Sequence, residues 1–395
     1  MLDGIRVVIL GSGTPISTFA AVLGDQGADV IRVEPPGVGD PGRRRGPMVD
    51  GGSLEWAVAG RSTRGVTCDF ATTEGRDLVV RLLATADVVG EALGARGLED
   101  LALAPGDLRG PRVVVRFTGR GIAAADAGLP APELIALAAG GMLTLTGQPD
   151  RPPVALGVRY AEQFAGVSGA TAALAALLED PPPGSPSDAA PEIVDVATRS
   201  AVLRVTEWTV PAYDRLGTER TREGNRPSSV APLDVYLSAD DEHVAIVGGS
   251  DANFARLVRS IDRPDLGTDP KYATTAARIE HSTEINEIVA EWVRSSPADE
   301  IGRRCAASGT PVGRVAQVAD LLDDPHFAAR GDFVVVDDPV VGRHRQQAPH
   351  PRFDGERVDA VRPAPAVGQH NREVWCTELG VAAEDLARLE ELGVV

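Results

Sequence analysis

Cysteine, lysine and histidine are scarce in this sequence, and each scarcity narrows what the chain can do. The three cysteines, Cys68, Cys305 and Cys376, are far apart, odd in number and without a CxxC spacing. That pattern speaks against a disulfide framework or a cysteine-ligated zinc site and fits a reducing cytoplasm. The six histidines, His243, His281, His326, His344, His350 and His370, are scattered and form no metal-ligand motif, so no metal is expected. Lys271 is the single lysine, and 39 basic residues face 57 acidic ones for a formal net charge of −18. A chain of that sign repels phosphate backbones and anionic lipid, so neither nucleic acid nor a membrane is an expected partner. No run approaches the roughly 18 apolar residues of a membrane helix. The opening MLDGIRVVIL reads as a first strand, because an acid and an arginine flank too few apolar residues for a signal peptide.

What is present is a large apolar complement: 395 residues at 43% hydrophobic content predict two or three domains with a sizeable core. Arg6 to Leu10 is a β-branched run, followed by a glycine turn, apolar residues Ile16, Phe19, Ala20 and Leu23 at helical spacing, and a second strand from Val30 to Val33. This βαβ unit has Thr14 and Pro15 as N-cap and first-turn proline, and Gly27 closing the helix. A helix at 74–84 and strands at 87–89 and 112–117 continue the alternation, which requires a parallel sheet. Ala-rich residues 161–178 read as one long helix, stopped by a Pro181–Gly184 loop. A strand follows at 192–196. Polar, Arg-rich residues 211–228 read as a linker to a smaller α+β domain at 229–315, with strands at 234–237 and 243–247 and helices at 252–261 and 282–295. A helix at 316–322, a strand near 333–336 and a charged helix at 383–392 complete the chain.

Gly11, Ser12 and Gly13 after a strand, with Glu34 some twenty residues on, superficially match a dinucleotide fingerprint. Ile16 occupies the third glycine's place and blocks the close helix approach that glycine would allow, so a generic turn at a helix N-terminus is favoured over an NAD site.

The segments GADVIRVEPPGVGDPGRR (Gly27–Arg44) and RSTRGVTCDFATTEGRDLVVRLLATADVVGEALGARG (Arg61–Gly97) closely resemble the opening of the class III CoA-transferases, the CaiB/BaiF-type family. The resemblance continues through GGMLTLTG (Gly140–Gly147), PLDVYLSADDEHVAIVGGSDANFARL (Pro232–Leu257), GTPVGRVAQVADLLDDPHFAARG (Gly309–Gly331) and ELGVAAEDLARLEELGVV (Glu378–Val395). It implies an α/β fold: a Rossmann-like large domain with a parallel sheet from 1–210 and 316–395, the small domain between, and two chains interlinked like rings. The partners it implies are an acyl-CoA and a carboxylic acid, with coenzyme A as substrate and no cofactor bound permanently. The dimer would be of identical chains, or of this chain with a paralogue.

By the same resemblance, the family's nucleophilic Asp, four residues before a glycine, corresponds to Glu162 in YAEQFAG. A carboxylate there can form a mixed anhydride and then an enzyme-CoA thioester. The plainer reading of Glu162 is an acid favoured in a helix's first turn. The family's racemases use a histidine whose counterpart here is Ala131, which removes their base.

For CoA, the resemblance points to Gly13, Thr14 and Pro15 after the first strand, Cys68, Asp69, Phe70 and Ala71 around the adenine, and Ala92, Leu93 and Gly94 in the place of the family's Asn-Phe-Arg stretch. Arg43 of the Arg43–Arg45 run is either a phosphate clamp or part of a solvated charge cluster. Pro35, Gly60, Thr63 and Gly94 replace the family's polar or basic residues, with Arg96 a candidate substitute, while Asp100 adds a negative charge. The expected function is acyl-CoA:carboxylate CoA transfer in the cytoplasm through a covalent glutamyl intermediate. The alternatives are a silent subunit paired with an active paralogue, or a CoA-ester racemase, epimerase or lyase.

Overall fold

Short β-branched runs, each ending in glycine or a polar residue, build the central sheet. The computed structural model describes residues 1–94, 96–126, 128–179, 189–355 and 361–395; the Pro181–Gly184 stretch lies outside them. Six strands, β1 (Arg6–Gly11), β2 (Asp29–Glu34), β3 (Arg64–Thr67), β4 (Val88–Ala92), β5 (Val113–Thr118) and β6 (Glu192–Ala197), pair in parallel in the order β3-β2-β1-β4-β5-β6. The order reverses between β1 and β4. In an open parallel sheet, that reversal leaves a crevice beyond the carboxyl ends of the two strands.

Both faces of the sheet are covered, so its strands read as continuous apolar runs rather than alternating ones. On one face, Val7, Ile9, Val113 and Val115 pack against Ile16, Phe19 and Leu23 of α1 (Thr14–Asp25) and against alanines of a later long helix, Tyr160–Leu178. On the other, Val8, Leu10, Ile31 and Val89 pack against Leu78, Leu82 and Leu83, and against Trp375, Leu386 and Leu389 from the C-terminal segment. The first unit is therefore built from both ends of the chain, although all six strands come from residues 6–197.

Helix starts follow their local chemistry. Further helices in this unit are α2 (Leu54–Ala59), α3 (Thr73–Leu83), α4 (Glu133–Ala139) and α5 (Tyr160–Leu178). Ser53 and Thr72 cap α2 and α3 by accepting from Trp56 N–H and Gly75 N–H. At α1, however, the N-cap is Gly13 rather than Thr14: Gly13 has φ of 120°, a backbone that glycine accommodates, and Thr14 is already helical. By length and composition α5 is apolar enough to cross a membrane. Its glycines are instead pressed into this unit: a Cβ at Gly166 would lie 2.4 Å from the Pro15 carbonyl oxygen, and one at Gly169 would lie 2.5 Å from the Phe117 ring.

The chain divides into two compact units, 1–142 with 155–215 and 325–395, and 143–154 with 216–324. Residues 143–154 thus group with the second unit, and the segment read as a linker begins inside a helix, Thr209–Leu216. The second unit has a three-stranded antiparallel sheet, Val312–Arg314, His243–Val247 and Leu233–Leu237 in that spatial order. Phe254, Leu257, Ile285, Val289 and Ile301 supply its core from three helices. Arg278 is fully buried there, donating to the carbonyls of Ala231, Tyr272 and Gly249.

The exposed edge of β3 is covered by side chains of the C-terminal segment. His370 Nδ1 accepts from Gly65 N–H at 3.0 Å, and Asn371 Oδ1 accepts from Thr67 N–H at 2.8 Å. Acceptance at Nδ1 requires a neutral ring, and burial holds the His370 imidazole below its ordinary value of 6.5. Between the lowered folded value and the unfolded one, the unfolded chain binds more protons, so this contribution to stability is full above the window and lost as pH falls through it. The urea midpoint is expected to drop between about pH 7 and about pH 5, and to drop less in His370→Gln than in the wild type.

Candidate active site

At the crevice between β1 and β4 lies a cavity of about 370 Å³. Ser12 lines it from just past β1, Pro15 from the first turn of α1, Ala92 and Gly94 from the end of β4, Thr118 and Gly119 from the end of β5, and Thr198 from just past β6. Glu162, in the first turn of α5, completes the wall, with a side chain 16% exposed. Its placement depends on Gly166 one turn later, because only a residue without Cβ lets α5 approach Pro15 so closely.

Glu162 is held from two directions. Its Oε1 accepts from Glu133 N–H, at the start of α4, at 3.2 Å. In return the Glu133 carboxylate accepts from Ala161 N–H at 3.0 Å and from Glu162 N–H at 3.1 Å. Two helix starts thus cap one another, each satisfying N–H groups that the other helix leaves unpaired. Arg159 Nε stands 4.0 Å from Glu162 Oε2, and the Arg159 terminal nitrogens hold Glu55 at 2.5 and 3.2 Å. Those hydrogen bonds lower the Glu55 carboxyl below its ordinary value and raise the Arg159 guanidinium. One carboxylate oxygen of Glu162 is fixed by a backbone donor, and among the described residues the cation nearest the other is Arg159 Nε at 4.0 Å, which leaves it available to an electrophile.

A model of CoA-transferase family III matches residues 2–371. The chain belongs to that family. Succinyl-CoA–D-citramalate CoA-transferase of Chloroflexus aurantiacus is 34% identical over 100% of this chain and 98% of its own. The alpha subunit of succinyl-CoA–L-malate CoA-transferase from the same organism is 30% identical over 100% of this chain and 92% of its own. Among solved structures, a CAIB/BAIF family protein from Brucella suis superposes with a TM-score of 0.82 at 29% identity, covering 95% of this chain and 98% of the other.

The structure gathers only part of the expected CoA-contacting set around Glu162. Pro15, Ala92 and Gly94 line its cavity, and Gly13 forms the turn that precedes Pro15. Thr14 lines a different cavity, together with Ser17, Glu55 and Arg159. Leu93 packs on the core, its N–H donated to the buried Glu91. Burial pushes the Glu91 carboxyl up, opposed by that N–H and by Arg116, whose Nε lies 2.6 Å away. Arg116 also holds the Arg96 carbonyl, so this buried pair fixes the turn after β4 from both sides. The Arg96 side chain is turned to solvent, paired with Asp100 at 2.9 Å.

Cys68 to Ala71 follow β3 and none of them lines the Glu162 cavity. The Cys68 thiol is in the core, pushed up to about 12 by burial and the neighbouring Asp69, and donates to Gly75 O. Phe70 packs partly on the same core, Asp69 shapes the turn by accepting from Ala71 N–H, and Ala71 is exposed.

Arg43 has a structural engagement that the arginine run did not reveal. Its guanidinium holds the Glu34 carboxylate at 2.6 and 2.7 Å and stacks over Trp56 at 4.4 Å, while Arg32 lies 5.0 Å from the same ring and pairs with Asp40. Glu34 is 1% exposed, so removing its partner strands a buried charge. Arg43→Ala is expected to lower unfolding free energy by about 3 kcal/mol in denaturant titration. A variant with unchanged stability and weakened CoA binding would instead favour the phosphate-clamp reading.

Proposed function

We propose that the protein is an acyl-CoA:carboxylate CoA-transferase with Glu162 as its nucleophile. The observation that carries this reading is a half-buried carboxylate on the wall of the crevice at the sheet's switch point, held by one backbone N–H and otherwise unobstructed. The names of its relatives support a transfer between two organic acids.

The chemistry balances in four displacements. A Glu162 oxygen attacks the acyl-CoA carbonyl carbon, forming a mixed anhydride and breaking the carbon–sulfur bond, and CoA leaves as thiolate. The thiolate attacks the glutamyl carbonyl, giving a glutamyl-CoA thioester and releasing the first acid as carboxylate. A second carboxylate attacks that thioester, forming a new anhydride and again expelling thiolate. Attack of the thiolate on the new acyl carbonyl gives the product thioester and restores Glu162. No proton need be gained or lost overall, so the site needs a positioned carboxylate rather than a strong base.

Near-attack geometry tolerates little error, about 1 Å costing on the order of a hundredfold in rate. The mutual capping with Glu133 and the crossing at Gly166 supply the positioning for a side chain one methylene longer than aspartate. The racemase alternative finds less support: Ala131 is on the cavity wall where the base would stand, and no histidine lines the cavity among the described residues. A second reading, a subunit that works beside a paralogue, is favoured by the relative named as an alpha subunit.

Intact-protein mass after incubation with a panel of acyl-CoAs and hydroxylamine tests the proposal. The expected result is a hydroxamate increment in the wild type that is absent from Glu162→Gln, together with loss of turnover. Turnover unchanged in Glu162→Gln would overturn the nucleophile assignment. CoA transfer appearing only when a paralogous chain is added would favour the subunit reading.

A further inference from the structure

Arg159 opens α5 and Glu162 follows three residues on, the spacing at which opposite charges in a helix pair with one another. They do not meet: the nearest approach is the 4.0 Å from Arg159 Nε to Glu162 Oε2, beyond hydrogen-bond reach. The terminal nitrogens of Arg159 go instead to Glu55, at 2.5 and 3.2 Å, and Arg45 stands 3.2 Å from the same carboxylate. Glu55 lies in the first turn of α2, whose start is capped by Ser53, so the acceptor sits on a fixed turn. Two carboxylates and two guanidinium groups balance in charge, yet the bidentate pair forms with Glu55, 104 positions away, and not with the neighbour on the same helix.

Resting on the transferase reading, we infer that Glu55 is a positioning residue for the nucleophile: it draws Arg159 aside, so that Glu162 Oε2 keeps its lone pairs for the acyl carbonyl. A guanidinium bonded directly to a carboxylate occupies those lone pairs. It also stabilises the free anion more than the transition state, in which the charge is passing to the substrate, and so raises the barrier. Among the described residues, the acids that remain near Arg159 once Glu55 is gone are Glu162 and Glu133. Glu162 is the one within reach on the same helix turn. Closing that contact would pull the Glu162 carboxylate against its bond to Glu133 N–H and away from the position the crevice requires.

The test compares the wild type, Glu55→Ala, Arg159→Ala and the double variant by two readouts. One is CoA transfer from a panel of acyl-CoAs. The other, which needs no turnover, is the rate at which Glu162 is labelled by a water-soluble carbodiimide with glycinamide, read by peptide mass mapping. Glu55 is 23% exposed on its side chain, so the variants are expected to fold, which circular dichroism checks; Glu55→Gln is a second variant of the same shape, expected to fall between wild type and Glu55→Ala. Glu55→Ala is expected to lower both kcat and Glu162 labelling about tenfold, the scale of a charge-assisted hydrogen bond, with KM for the acyl-CoA little changed. Adding Arg159→Ala should restore both to the level of Arg159→Ala alone, a rescue that loss of a merely structural contact would not show. Undiminished labelling of Glu162 in Glu55→Ala, or a loss that persists in the double variant, overturns the inference. The expected labelling pattern in a protein that transfers CoA from no donor overturns the transferase reading while leaving the role of Glu55 supported.

Discussion

Where α1 and α5 cross, there is no space for a side chain on Gly166, and much of the site follows from that one contact. The crossing holds the start of α5 against Pro15 in the first turn of α1, just beyond β1, where the sheet order reverses. A larger residue would force the helices apart and carry Glu162 away from the crevice, whatever its chemistry. The close approach also explains why α5 is rich in alanine and glycine on its buried side, since small residues let the two backbones meet without voids.

Buried charges do the corresponding work at the strand ends. Glu91 with Arg116 shapes the turn after β4, and Glu34 with Arg43 ties the end of β2 to the loop that follows it. Each pair is expensive to break and gives little net stability when whole, so the role that fits is geometric: holding a loop in one place. The turns that line the cavity are thereby carried by the sheet.

How much of this could be read in advance depends on sequence distance. The strands and the long helix announce themselves through β-branched runs and small residues, and the helix starts predicted at 74, 252 and 282 fall within a residue of Thr73, Asp251 and Ser282. The short strand β3 does not, because RGVT interleaves polar residues and glycine. Glu162 could be singled out through the family resemblance, by its place four residues before Gly166, but Glu133 lies 29 positions away in an undistinguished stretch, and only folding brings the two helix starts together. Arg159 was equally unmarked: nothing local tells that Glu55, over a hundred residues earlier, will meet it. Arg43 is the converse case, a conspicuous arginine whose guanidinium is held by a glutamate nine residues away.

The covering of β3 by His370 and Asn371 has a consequence for how the sheet could grow. A lone sheet edge presents a row of amides to any neighbouring strand, and here two of them, Gly65 N–H and Thr67 N–H, are already bound to side-chain acceptors. A strand arriving from another molecule would have to displace an imidazole and an amide to add itself. That end of the sheet is therefore closed to templated pairing, by two side chains that belong to no strand.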